Sequence, residues 1–155
     1  MNIFNFFKRN YETGFPPKKL LIKRMKEYHT HYLGKFDTDK LFWGDIPFVI
    51  KNVDNKPIRT DYAVLYTFDS NGKLIKYEYW KDENSNGELN PWYKLDEMVK
   101  KLGKVKYMDI SVELFEVEID NHKFGLVADL ESRCVNAQPS STISFYEPWD
   151  GEYYT

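Results

Sequence analysis

The run over residues 61–81, DYAVLYTFDSNGKLIKYEYWK, limits the fold more than any other stretch of the chain. Two apolar, aromatic segments flank Ser70-Asn71-Gly72, and Asn-Gly offers the two φ > 0 residues that a type I′ hairpin turn requires. In the first arm Tyr62, Val64, Tyr66 and Phe68 alternate with Ala63, Leu65 and Thr67. Both parities are apolar, so this strand is expected to be central and covered on both sides. In the second arm Tyr77 and Tyr79 oppose Lys76 and Glu78 in parity, the pattern of a half-exposed strand.

The flanking segments supply partners for that hairpin. Phe4, Phe6 and Phe7 open the chain, and Phe15-Pro16-Pro17 interrupts it, leaving residues 1–17 as a loose N-terminal segment. Leu21, Met25, Tyr28 and Tyr32 recur at spacings of four, three and four, which predicts a helix over 18–33 ended by Gly34. Residues 47–53 read as a strand, with turn chemistry at Asp54-Asn55-Lys56-Pro57. Asn90 as N-cap, Pro91 at the first position, the stripe Leu95, Met98, Val99, Leu102 and the terminating Gly103 predict a second helix over 91–102. Residues 110–119 alternate, with a slip at Leu114-Phe115 that predicts a bulge. Asp120-Asn121-His122-Lys123 reads as a turn, 124–130 as its return arm, 131–141 as a loop and 142–146 as a last strand. Hairpins dominate and no βαβ series occurs. The expected class is α+β: an antiparallel, hairpin-rich sheet or half-barrel of about six strands with helices at 18–33 and 91–102.

At 155 residues the chain is expected to be a single domain, 1–155, large enough to bury a core without metal or disulfide support. The single cysteine, Cys134, excludes an internal disulfide and fits a reducing compartment. The opening residues place apolar side chains ahead of the positive charges, the reverse of a secretion signal, and no apolar run is long enough to span a bilayer. A cytoplasmic protein without membrane contact is the expectation. Charge is uneven: residues 1–35 hold eight Lys/Arg and two acidic residues, net +6, whereas 109–155 hold ten acidic and two basic residues, net −8. Either the two ends neutralise each other in the fold, or one of them meets a charged partner.

Motifs with chemistry are few. Residues 82–90, DENSNGELN, begin like a calcium loop, with oxygens at the first, third and fifth positions and glycine at the sixth. The twelfth position, which should be a bidentate Glu, is Tyr93. His29-Thr30-His31 places two imidazoles on different faces of a helix, a poor metal pair. Cys134 has only Arg133 as a basic neighbour, Ser140-Ser141 lacks the nucleophile-elbow glycines, and no glycine-rich phosphate loop occurs. No cofactor or metal and no catalytic residue is expected from these patterns. The basic segment Lys18, Lys19, Lys23, Arg24, Lys26 could meet nucleic acid, but the acidic final third would repel phosphate. An enzyme or ligand-binding domain with its site on a concave sheet face is the alternative, and a basic-helix adaptor the third reading.

A protein-binding surface is better supported. The tail EPWDGEYY sets Trp149 and Tyr153 among Glu147, Asp150 and Glu152, and Glu113, Glu116 and Glu118 extend the acidic set. With its aromatic α+β character, this set of residues resembles bacterial toxin-immunity proteins of contact-dependent growth inhibition systems. That resemblance implies an inhibitor that binds a cognate toxin domain, such as a basic nuclease, and masks its active site. Its carboxylates would then stand in for substrate phosphates.

Overall fold

The computed structural model describes residues 14–26, 28–82 and 90–155. In chain order these form β1 (Leu20–Ile22), one 3-10 turn (Tyr28–Thr30), β2 (Tyr32–Phe36), β3 (Lys40–Asp45), β4 (Phe48–Val53), β5 (Lys56–Phe68), β6 (Leu74–Asp82), α1 (Pro91–Lys100), β7 (Val105–Tyr107), β8 (Ile110–Val112), β9 (Phe115–Ile119), β10 (His122–Asp129), β11 (Cys134–Gln138), β12 (Ser144–Phe145) and β13 (Tyr153–Tyr154). Every strand pairing is antiparallel. Strands β2 to β7 make a six-stranded sheet, β9 to β13 a five-stranded sheet in the order β13-β12-β11-β10-β9, and β1 with β8 a two-stranded one.

The central position of β5 follows from its two apolar parities. Val64, Tyr66 and Phe68 face the five-stranded sheet and share a core with Phe124, Leu126, Val135 and Phe145. Ala63 and Leu65 point the other way and pack with Leu95 and Val99 of α1. The result is three layers: helix, six-stranded sheet, five-stranded sheet. The small β1–β8 sheet adds Leu20, Ile22, Ile110 and Val112 to the core between the two larger sheets. Along one edge of β5, β3 and β4 form one line in a single register, Leu41 opposite Phe68 through Val53 opposite Lys56. That line is interrupted at Ile46-Pro47, where proline has no N–H to give the ladder; the Pro47 carbonyl still accepts from Tyr62 N–H at 2.9 Å.

Two turns carry backbone conformations that the sequence places elsewhere. Asn71 is not left-handed; only Gly72 is, at φ 85°. Asp69 organises that turn instead: its carboxylate accepts from the N–H groups of Asn71 and Lys73, each at 2.9 Å, and its carbonyl from Gly72 N–H at 3.0 Å. The paired positive φ values of a type I′ turn occur at Asp54-Asn55 and at Asp120-Asn121, where Asx side chains tolerate them.

Four expectations are corrected. No helix forms over 18–33. Leu20 and Ile22, not Leu21 and Met25, are the buried residues, because pairing with β8 imposes a period of two. The donors that would have continued a helix are taken by side chains: Arg24 N–H by Asp109 Oδ1 (2.8 Å) and Met25 N–H by Thr30 Oγ1 (2.9 Å). Gly34 is no helix terminator. It sits in mid-β2 where a Cβ would overlap the Lys106 carbonyl of β7. The slip at Leu114-Phe115 is not a bulge but a change of sheet, since β8 pairs with β1 and β9 with β10. The loop expected at 131–141 contains β11, whose Val135 and Ala137 are buried. The architecture therefore has one α-helix among the described residues, and its sheets do not close into a half-barrel of six strands. The helix at 91–102 is present. Asn90 Oδ1 accepts from Trp92 N–H (3.0 Å), Leu95 and Val99 are buried, and Gly103 follows at φ 90°.

Candidate functional site

The five-stranded sheet is apolar on one face only. Cross-strand partners point to the same side of a sheet, so the register assigns its outer face directly. Glu118 lies opposite Lys123, and Glu116 opposite Gly125, which itself lies opposite Gln138. Val127, Asn136, Ser144 and Tyr154 form the next row, and Asp129 faces Cys134. No described helix packs here; α1 contacts β3, β5 and β6 of the other sheet. Four strand spacings make this face about 19 Å wide.

Its chemistry is acidic along one side and aromatic along the other. Glu116 pairs with Lys123 at 3.3 Å, while Glu118 is exposed with no ion pair among the described residues. Tyr146 and Tyr154 meet edge to face with centroids 5.5 Å apart, and both are exposed. Tyr146 lies against Cys134, whose thiol is buried and pushed up in pKa chiefly by that burial. A thiol held protonated is a poor nucleophile.

The structure divides the eight residues expected to bind a partner. Glu116 and Glu118 stand on β9, at one edge of this sheet, and the 147–153 segment lies at the opposite edge beside β12 and β13. Glu113, exposed, lies in the link before β9, where its N–H donates to the Gly72 carbonyl at 2.9 Å. Glu147, Asp150 and Glu152 are exposed. Trp149 and Tyr153 turn inward. Trp149 stacks on Phe15 at 5.9 Å, and Tyr153 packs on Phe145 while its hydroxyl shares a 2.8 Å hydrogen bond with Thr30. Tyr146 and Tyr154 are the outward-facing aromatics of this region. Strand parity says only that Tyr153 and Tyr154 face opposite ways; the pairing of Phe145 with Tyr153 decides which of them faces out.

The basic N-terminal segment folds onto the acidic end. Lys23 N–H donates to the Gly151 carbonyl (3.0 Å) and its ammonium pairs with Glu152 (3.5 Å). Arg24 donates through Nε to the His31 carbonyl (3.0 Å) and lies 4.5 Å from the Tyr107 ring centroid. With no helix to present them as a stripe, these cations lose the arrangement a groove-binding adaptor would need. The two histidines work separately: His29 Nδ1 bonds Asp45 Oδ1 at 2.9 Å, and His31 Nδ1 lies 2.7 Å from the Lys26 carbonyl oxygen. Of the calcium-like loop, residues 83–89 lie outside the described residues.

A separate cleft of about 380 Å³ opens beside Ile46, where Ile46-Pro47 interrupts the β3–β4 line. His29, Ile46, Phe48, Arg59, Trp92 and Thr142 line it. The Arg59 guanidinium lies 4.1 Å from the Phe48 ring centroid and donates to Asp61 Oδ1 at 2.9 Å. Thr142 Oγ1 is buried without a hydrogen-bond partner among the described residues. No family model, curated protein or solved structure matches this chain.

Proposed function

We propose that this protein is a cytoplasmic protein-binding inhibitor, an immunity protein that neutralises a cognate toxin domain by covering its active site. The observation that carries the reading is the outer face of the five-stranded sheet, which no described helix covers, with Glu116 and Glu118 exposing carboxylate along one side and Tyr146 and Tyr154 exposed on the other. Carboxylates steer a cationic partner and mimic the phosphates it binds. Exposed tyrosines supply large, stiff contact area at low entropic cost. No described helix is long and apolar enough to cross a membrane, which is compatible with action in the cytosol.

The test is a binding measurement between the intact protein and the toxin domain encoded in the neighbouring reading frame. Glu116→Lys with Glu118→Lys is expected to slow association roughly tenfold at low salt and to flatten its salt dependence. Tyr154→Ala is expected to act on dissociation instead, by about tenfold. Absence of binding by the unmodified protein would refute the reading.

The buried Thr142 hydroxyl favours a second reading, in which the cleft beside His29 and Arg59 takes a small anionic ligand. Small carboxylates or inorganic phosphate would then raise the melting temperature, and Arg59→Ala would abolish the rise. No rise with any of them would exclude it.

A further inference from the structure

On the reading that the cleft beside Ile46 takes an anion, we infer that this anion is a small aromatic carboxylate, its ring packed on Trp92 and its carboxylate held by Arg59 and Thr142. Separate stretches of the chain build the walls: His29 from the 3-10 turn, Ile46 and Phe48 from the β3–β4 line, Arg59 from β5, Trp92 from the first turn of α1 and Thr142 from the link between β11 and β12. A volume of about 380 Å³ is at the low end for ligand pockets and suits a single ring with one polar group.

The polar end is specified by two groups with unused capacity. Phe48 lies opposite Asp61 in the β4–β5 ladder, and Arg59 is two residues from Asp61 on the same face. This register lets Arg59 lay its guanidinium over the Phe48 ring, 4.1 Å from the centroid, while Nε donates to Asp61 Oδ1 at 2.9 Å. One edge and one face of the guanidinium are therefore fixed. Its two terminal nitrogens make no hydrogen bond among the described residues, and they form the fork that a carboxylate accepts with both oxygens. Thr142 supplies the second group. Its N–H donates to the Ala137 carbonyl at 3.1 Å, and the nearby Ser140 hydroxyl donates to the Phe48 carbonyl at 2.8 Å, which ties this link to β4. The Thr142 hydroxyl is nevertheless buried with no partner among the described residues. A buried hydroxyl left unsatisfied is costly, and a ligand oxygen in the cleft would satisfy it. Asp45 and Asp61 are engaged by His29 Nδ1 and Arg59 Nε, so the fork is left to a ligand.

The rest of the lining asks for more than a bare ion. Ile46, Phe48 and Trp92 are half-buried apolar walls, and such surface gains only from an apolar body. One face of Phe48 is already taken by Arg59, which leaves the Trp92 indole and Ile46 to pack a ring. Acetate or inorganic phosphate would satisfy Arg59 and Thr142 and leave these walls unused.

Titration of the full chain with benzoate, acetate and inorganic phosphate, followed by tryptophan emission and by melting temperature, tests this. Benzoate is expected to quench Trp92 saturably and to bind at least about tenfold more tightly than the other two. Trp92→Phe should lose the quenching. Arg59→Ala should weaken benzoate about tenfold or more, and Arg59→Lys, which keeps the charge but not the fork, should do the same if the alanine variant fails to fold. Thr142→Val should weaken benzoate about tenfold while leaving the melting temperature of the free protein unchanged or higher, because it removes a hydroxyl that is unsatisfied there. A hydroxyl of merely structural use would lower it. Benzoate binding no tighter than acetate or phosphate would overturn the aromatic ligand and leave the anion cleft standing. No binding by any of the three would overturn both. Benzoate binding indifferent to the Arg59 or Thr142 variants, or quenching that survives Trp92→Phe, would put the ligand elsewhere and overturn the proposal.

Discussion

The two larger sheets are built from strands of similar composition but live in different surroundings. The middle of the six-stranded sheet, at β3 and the second half of β5, is covered on both faces, by α1 and by the other sheet, and that half of β5 is apolar at both parities. Among the described residues the five-stranded sheet is covered on one face, and its strands alternate: Phe115, Val117 and Ile119 inward against Glu116 and Glu118 outward. Parity therefore separates the residues that hold the fold from those free to meet a partner. Among the described residues one α-helix covers one sheet face, and the face it leaves is the acidic one.

That contrast can be broken by substitutions graded in effect. The largest belongs to the doubly covered sheet. Leu65→Ala removes a fully buried side chain from beneath Leu95 and is expected to cost about 3 kcal/mol of unfolding free energy. Val127→Thr on the outer face should cost under about 0.5 kcal/mol. Comparable losses from the two in urea unfolding would mean that something covers the outer face. Gly125→Ala comes next. Its residue is in β10 at φ 137°, and a Cβ would overlap the Phe115 carbonyl, so about 2 kcal/mol is expected together with disturbance of β9 pairing. A neutral outcome would show that β9 moves freely, and with it the acidic edge.

A smaller effect than that of Gly125→Ala is expected at the joint between the sheets. Asp120, in the β9–β10 turn, accepts from Lys81 Nζ (3.0 Å) and Tyr62 Oη (2.8 Å) of the six-stranded sheet. Lys81 first, then Tyr62, holds this carboxyl below its ordinary value of 3.8. A depressed carboxyl contributes stability that is present above the unfolded-state pKa and lost as pH falls through the folded-state value. Asp120→Asn should cost about 1 kcal/mol at neutral pH and less as the pH drops below about 4. An unchanged difference between wild type and variant across that range would show that the ion pair is not the stabilising part of the contact.

Much of the doubly covered sheet was legible in the chain. The apolar parities of residues 62–68 identify β5 as central, and Asn90-Pro91 with Gly103 brackets the one described α-helix to within two residues. What escaped was decided by distant partners. Leu21, Met25, Tyr28 and Tyr32 satisfy helical spacing, yet pairing with β8 makes Leu20 and Ile22 the buried residues. Strand β11, CVNAQ, carries only Val135 and Ala137 inward, too little apolar contrast to distinguish it from a loop. The acidic site was half legible: Glu116 and Glu118 follow from alternation, but choosing Tyr154 over Tyr153 needs the pairing of Phe145 with Tyr153, which no local pattern supplies.

The small β1–β8 sheet has a kinetic consequence. Leu20 pairs with Val112, so the two-stranded sheet that fills the core cannot form until most of the chain is available. The β3–β6 meander has its partners within one contiguous stretch. Closure of such distant loops before their contacts reward them is slow, and refolding is expected on a millisecond-to-second scale. In stopped-flow experiments Leu20→Ala should speed unfolding while leaving the folding rate nearly unchanged, because its contacts form after the meander has assembled.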